Sequence, residues 1–199
     1  MVTGPTDNSL DRRAAVAALL ADRRDLLVVS GLGSSSYDAN AAGDNDANFY
    51  LWGAMGAAAL MGLGLAQAQP ARPVLVVTGD GEQLMGLGGL ATIAIAAPKN
   101  LTIAVIDNGH FGETGMQVSH TGHGLDLAAI AKSCGFAKAE ILRDLDQVKA
   151  ARLSLSAKLS GPKLYVIKVR AENLPRSLPP RDAVHLKNRF RAQLGLAPN

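Results

Sequence analysis

Two places in this chain put polar oxygen donors at the ends of apolar runs. Asp80 lies between Gly79 and Gly81, directly after the β-branched run "VLVVT". Asp107-Asn108-Gly109 closes a second such run, with residues 82–106 between the two. A turn uses the glycines, and Asp-Gly and Asn-Gly pairs are ordinary turn formers, but a turn does not require a carboxylate. Asp80 and Asn108 both offer hard oxygen ligands, which suit Mg²⁺ or Ca²⁺ better than a soft metal. Mg²⁺ takes few protein oxygens and completes its octahedron with phosphate and water. A helix starting after Gly81 would add free backbone N–H groups and a positive dipole end. Together these parts describe a seat for a Mg²⁺-bound diphosphate, provided that the two strand ends share one rim of a sheet.

The rest of the pattern supplies that sheet. Short apolar runs at 25–31, 49–52, 72–79, 100–109, 136–142 and 162–170 read as six strands. Helical segments are expected up to about Gln69 and over 82–97, 125–135 and 144–161. Strands that are apolar throughout and separated by helices imply a three-layer α/β/α fold around a central, mainly parallel six-stranded sheet. In such sheets ligands gather at the carboxyl ends of the strands. Residues 34–48, "SSSYDANAAGDNDAN", read as a long polar loop and hence as a functional segment. Residues 1–175 read as one domain. Residues 176–199 read as a basic tail with Leu186, Phe190 and Leu194 at helical spacing.

Composition excludes several function classes. Of 199 residues 48% are hydrophobic and 4% aromatic, and the single cysteine, Cys134, excludes an intrachain disulfide and disfavours a thiolate metal site. Arg176, Arg181, Lys187, Arg189 and Arg191 face Asp182 alone in the tail, so the remainder carries 15 basic and 16 acidic residues. That tail lacks aromatic interleaving and zinc spacing, so no nucleic-acid partner is expected. Phe49 to Ala66 is apolar and long enough to suggest a membrane span, but its four glycines weaken insertion. It is read as a short strand, a turn and a buried helix, and no membrane partner is expected. The polar N-terminus suggests a cytoplasmic location.

The spacing of Gly79-Asp80-Gly81 from Asp107-Asn108 resembles the signature of thiamine diphosphate (ThDP) enzymes. The resemblance implies that ThDP and Mg²⁺ are the cofactors, with Mg²⁺ held by Asp80, Asn108 and the His110 carbonyl. It assigns cofactor contacts to Ser34 and Ser35 in "SGLGSSS", to the Gly53 carbonyl and the wedge residue Met55 in "GAMG", to Gly79, Asp80, Gly81 and Glu82, and to Asn108, His110, Phe111 and Gly112. Asp107 stands where the family more often has Asn, and Glu82 where a small residue is usual. Glu82 is expected to offer its backbone N–H and to point its side chain away from the diphosphate.

The family also needs a pyrimidine-binding domain with an activating glutamate, for which this chain has no room. The resemblance therefore implies a separate pyrimidine-binding α subunit, with this chain as the β subunit of a sulfopyruvate or phosphonopyruvate decarboxylase-like enzyme. The substrate class would be a small anionic 2-oxo acid. His120 and His123 are the candidate catalytic or substrate-binding groups. Alternatives are a ThDP-binding subunit of an oxidoreductase or of an acetolactate synthase-like enzyme, and an NAD-binding dehydrogenase read from "GLGSSS".

Overall fold

The computed structural model describes residues 10–157 and 160–197. The extreme N-terminus and part of the segment expected to extend a helix to residue 161 lie outside the described residues.

The chain runs α1 (Arg12–Leu20), β1 (Leu27–Ser30), α2 (Ser34–Ala41), β2 (Asn48–Tyr50), α3 (Ala58–Ala68) and β3 (Val74–Gly79). It continues through α4 (Asp80–Met85), α5 (Gly89–Ala96), β4 (Leu101–Asp107), a hairpin of β5 (His110–Phe111) and β6 (Gln117–Val118), and α6 (Leu127–Cys134). It ends with β7 (Lys138–Leu142), α7 (Leu145–Leu153), β8 (Lys163–Lys168) and α8 (Ala183–Gln193). The six expected strands form one sheet in the order β2-β1-β3-β4-β8-β7, and every pairing within it is parallel.

Strand residues alternate between the two faces. Leu27, Val29, Val76, Ile103, Val105 and Leu164 pack with α3, α5 and α6. Val28, Leu75, Val77, Ala104, Ile106 and Tyr165 pack with α1, α2 and α7. This gives the three-layer α/β/α arrangement, because a strand buried on both faces must be apolar at every position. The basic tail contributes α8, whose Leu186 joins one core and Phe190 the other. Phe190 meets Phe49 of β2 edge-on at 5.7 Å.

Three local readings are corrected by the structure. Residues 34–48 are not all loop: Ser34–Ala41 is a helix. Its serines and asparagine have weak intrinsic helix preference, so tertiary contacts select the helix. The single helix expected over 82–97 is two, α4 and α5, with the break at Gly86 to Gly88. There a Cβ on Gly86 would lie 2.1 Å from the Gly56 carbonyl oxygen, so the two loops touch through backbone. The helix after Asp144 stops at Leu153. The apolar segment 49–66 divides between β2 and the eleven-residue α3. Among the described residues no helix is long and apolar enough to cross a membrane. Gly62 lets α3 press onto the sheet: a Cβ there would sit 2.2 Å from Val76 Cγ2.

Candidate functional site

The sheet order reverses direction at β1, which has β2 on one side and β3 on the other. Such a switch point opens a crevice at the carboxyl ends of the strands. A cavity of about 170 Å³ lies there, lined by loops from β1, β2, β3 and β4. Ser34, Ser35, Met55, Gly79, Asp80, Gly81, Glu82, Asn108, His110, Phe111 and Gly112 all line it. Gly53 does not line the cavity, although its loop supplies Met55. His120 and His123 are exposed outside it. The His120 ring meets Phe111 edge-on at 6.3 Å, so it touches the cavity wall from behind.

Asp80 opens α4 but gives that helix no side-chain cap. Its carboxylate instead receives the Ser119 hydroxyl and, at 2.9 Å, that of Thr121. These donors come from the segment just after the β5–β6 hairpin. The hairpin returns the chain so that the Ser119 amide bonds the Gly109 carbonyl at 2.8 Å. Gly109 permits the reversal with φ of +67°. Thr121 also reaches Asp107 at 2.8 Å and Ser119 at 3.0 Å. One hydroxyl proton cannot serve two carboxylates, so the cluster is short of positive charge.

Lys168 offsets part of that deficit. It is the register partner of Asp107 on β8, and its ammonium lies 2.5 Å from the Asp107 carboxylate. Among the described residues Asp80 has no such cation. Burial pushes its pKa up, and the Asp107 charge pushes the same way, while the Ser119 and Thr121 hydroxyls oppose them. The Asn108 side-chain oxygen accepts the His110 amide at 3.0 Å, which spends one of its two lone pairs. One carboxylate, one amide oxygen and a nearby backbone carbonyl form a hard donor set, and the local charge deficit is what a divalent cation would fill. Among the described residues no cluster of three or more His, Cys, Asp or Glu side chains could hold a metal, so a cation here would draw on the Asn108 amide and backbone oxygens as well as on Asp80. The residues present therefore fit Mg²⁺.

The Glu82 side chain is buried in the protein, although the residue lines the cavity. It is 4% exposed and accepts from Thr78 Oγ1 at 2.9 Å. It occupies the space of a missing side chain at Gly31, where a Cβ would lie 1.7 Å from its Oε2. Burial raises its pKa, opposed by Thr78 and by the amides of Leu32, Gly56 and Gly79 that face it. One carboxylate thus faces the loops after β1, β2 and β3, and its Oε1 has no hydrogen-bond partner among the described residues. Close contact also shapes the roof: a Cβ on Gly81 would meet the Phe111 ring at 2.5 Å.

Sequence reasoning missed Ser119, Thr121, Lys168, and a buried group from α1. Ser119 and Thr121 lie far along the chain from Asp80, in a polar stretch whose pattern signals no partner. Only the hairpin brings them back.

With that geometry in place, comparison with known proteins decides the family. Residues 31–169 match the model for the thiamine pyrophosphate enzyme C-terminal TPP binding domain. The chain belongs to this family. It is 40% identical over 191 residues to a phosphonopyruvate decarboxylase of Streptomyces hygroscopicus, covering 95% of this chain and 47% of that relative. It is 35% identical over 181 residues to a sulfopyruvate decarboxylase subunit beta of Methanothermobacter thermautotrophicus, covering 91% of this chain and 94% of that relative. The chain spans about half the length of the phosphonopyruvate decarboxylases it matches. A benzoylformate decarboxylase structure from Polynucleobacter necessarius shares the fold, with a TM-score of 0.70 and 21% identity over 88% of this chain and 36% of that one. Family membership makes residues 31–169 a TPP-binding domain, and the loops after β1, β2, β3 and β4 that line the cavity lie within that span, whereas the NAD reading of "GLGSSS" leaves Asp80 and Asn108 without a role.

Proposed function

We propose that this chain is the diphosphate-binding half of a ThDP- and Mg²⁺-dependent decarboxylase of small anionic 2-oxo acids, working with a separate pyrimidine-binding α subunit that supplies the activating glutamate. The observation that carries the reading is the buried Asp80 carboxylate on the switch-point rim, which has no cation partner among the described residues and shares its cavity with Asn108. Asp80, Asn108 and the His110 carbonyl would hold Mg²⁺. Ser34, Ser35 and the backbone of Gly79, Gly81 and Glu82 would hold the diphosphate, with Gly53 and Met55 toward the rings. When bound, the cofactor supplies the electron sink that a 2-oxo acid needs to lose carbon dioxide.

The chain's own part is to bind, to orient and to keep water out. Ser119 and Thr121 fix the Asp80 carboxylate, and Lys168 fixes Asp107 beneath Asn108. Met55 and Leu32, both more than a third exposed, stand at the mouth with Met85 nearby at 65% exposure. From Ala47 to Pro98 the only charged residues are Arg72, Asp80 and Glu82, and the two acids are buried. Such an apolar surface around a half-built pocket is suited to a partner domain. Match to relatives named as phosphonopyruvate and sulfopyruvate decarboxylases supports a substrate with a second anionic group. His120 and His123 are proposed to meet that substrate only in the assembled enzyme.

The test is calorimetric titration of ThDP with Mg²⁺ into the chain and its co-purified complex, compared with Asp80→Ala, followed by assay of the complex on phosphonopyruvate, sulfopyruvate and pyruvate. The reading predicts Mg²⁺-dependent ThDP binding that Asp80→Ala abolishes, and decarboxylation of a 2-oxo acid. No ThDP binding by the complex would sink it.

A further inference from the structure

Helix α1 lies outside the matched span 31–169, yet it places one side chain in the cavity. Arg12 is 3% exposed and shares the cavity wall with Ser34 and Ser35. Its Nη1 donates to Ser34 Oγ at 2.8 Å. Its Nε lies 3.2 Å from the Asp38 carboxylate, close enough for an ion pair though not aligned as a hydrogen bond. Asp38 is 0% exposed and is also paired with Arg13 at 3.4 Å. The Arg12 guanidinium is therefore steered from behind by a carboxylate that a second arginine shares.

The charges around the cavity make this placement informative. The ionisable residues lining it are Arg12, Asp80, Glu82, His110 and Glu113. Glu113 is paired with Arg176 at 3.0 Å. Arg12 is thus the permanent cation on the wall, and it stands beside the start of α2. That helix begins at Ser34 without a side-chain cap; the Ser36 amide bonds the Gly33 carbonyl at 3.0 Å, which leaves the Ser34 and Ser35 amides without an intrahelical acceptor. A guanidinium fork, a serine hydroxyl and open helix amides are the donors that suit a tetrahedral oxyanion. Because Arg12 is buried and pre-oriented, it suits an anion that stays in place rather than one that turns over.

We infer that Arg12 reads the terminal phosphate of the cofactor diphosphate, together with the Ser34 hydroxyl and the Ser34 and Ser35 amides. This rests on the ThDP reading above. A phosphonate or sulfonate group of the substrate has the same chemistry, and the test separates the two.

ThDP, thiamine monophosphate and thiamine are each titrated with Mg²⁺ into the chain in its complex. The wild type is compared with Ser34→Ala and with Arg12→Gln combined with Asp38→Asn. The double change removes both members of the buried pair, and circular dichroism and thermal melting confirm that it folds. The inference predicts that the double variant loses roughly tenfold to a hundredfold in ThDP affinity while its affinity for thiamine monophosphate changes by less than about threefold. Ser34→Ala shifts the same ratio less. An unchanged preference for ThDP over the monophosphate overturns the inference. So does an unchanged preference accompanied by a raised KM for phosphonopyruvate or sulfopyruvate, which would assign Arg12 to the substrate. A wild type that binds none of the three overturns the cofactor reading, and this inference falls with it.

Discussion

Asp38 and Asp80 are both buried aspartates beside the same cavity, and they are provided for in opposite ways. Asp38 sits between two arginines, Arg12 and Arg13. Asp80 is held by two neutral hydroxyls and faces a second carboxylate, Asp107. Asp38 has two cationic partners within the chain, although burial still raises its pKa. Asp80 has none among the described residues, which suits the proposed cation site. A buried carboxylate without a cation costs stability, so the contrast between the two aspartates fits the proposed role of Asp80 in binding a cation.

The sharpest way to break this comparison is to remove each carboxylate in turn and measure urea unfolding without ligand. Asp38→Ala strands a buried guanidinium and should cost about 3–5 kcal/mol. Asp80→Ala removes an uncompensated charge, so the ligand-free chain should keep its stability or gain. Equal losses in the two variants would show that Asp80 is already satisfied. With Mg²⁺ and ThDP present the gap narrows, because Asp80→Ala should weaken ThDP binding by about a hundredfold or more, roughly 2.7 kcal/mol.

The pH dependence of stability gives a third, smaller effect. Burial pushes the Asp38 pKa from 3.8 up to about 6 in spite of the two arginines. Below the lower value the carboxyl is protonated in both states and contributes nothing. As pH rises the unfolded chain releases its proton first, so folding loses about 3 kcal/mol once pH is well above the folded value. Thermal melts across that window should show wild type losing stability relative to Asp38→Asn; parallel curves would show that the arginines hold the carboxylate ionised throughout. The smallest effect is expected from Thr121→Val. It removes one hydroxyl shared by Asp80 and Asp107 and should cost about 1 kcal/mol, with a modest loss of Mg²⁺-dependent ThDP binding. A gain in stability would mean that the shared hydroxyl forces the two carboxylates together.

The architecture was legible because its signals are local. Val74 to Gly79 and Leu101 to Asp107 are apolar at nearly every position, which only a strand covered on both faces requires. The Gly79-Asp80-Gly81 and Asp107-Asn108 pairs mark the ends of those strands, and the parallel register of β3 and β4 brings both ends to one rim. The helix at Ser34–Ala41 was not legible, since its residues are weak helix formers and the loop reading follows from composition. The break between α4 and α5 was hidden for the opposite reason. Its residues read as one apolar run, and only the backbone contact between Gly86 and Gly56 reveals why the helix must divide there.

For the site itself, residue order alone determined that Asp80, Asn108 and His110 belong to strand-end loops and that Ser34 and Met55 belong to neighbouring ones. What stands against each carboxylate was decided by tertiary structure. Arg12 reaches Asp38 and Ser34 from a helix before the first strand, Lys168 meets Asp107 across the sheet register, and Ser119 and Thr121 return over Asp80 on a hairpin. The physical reason is range. Periodicity and turn chemistry act over a few residues and are written in sequence. Compensation of a buried charge depends on which distant groups the packed chain brings within hydrogen-bonding distance, and no spacing rule encodes that.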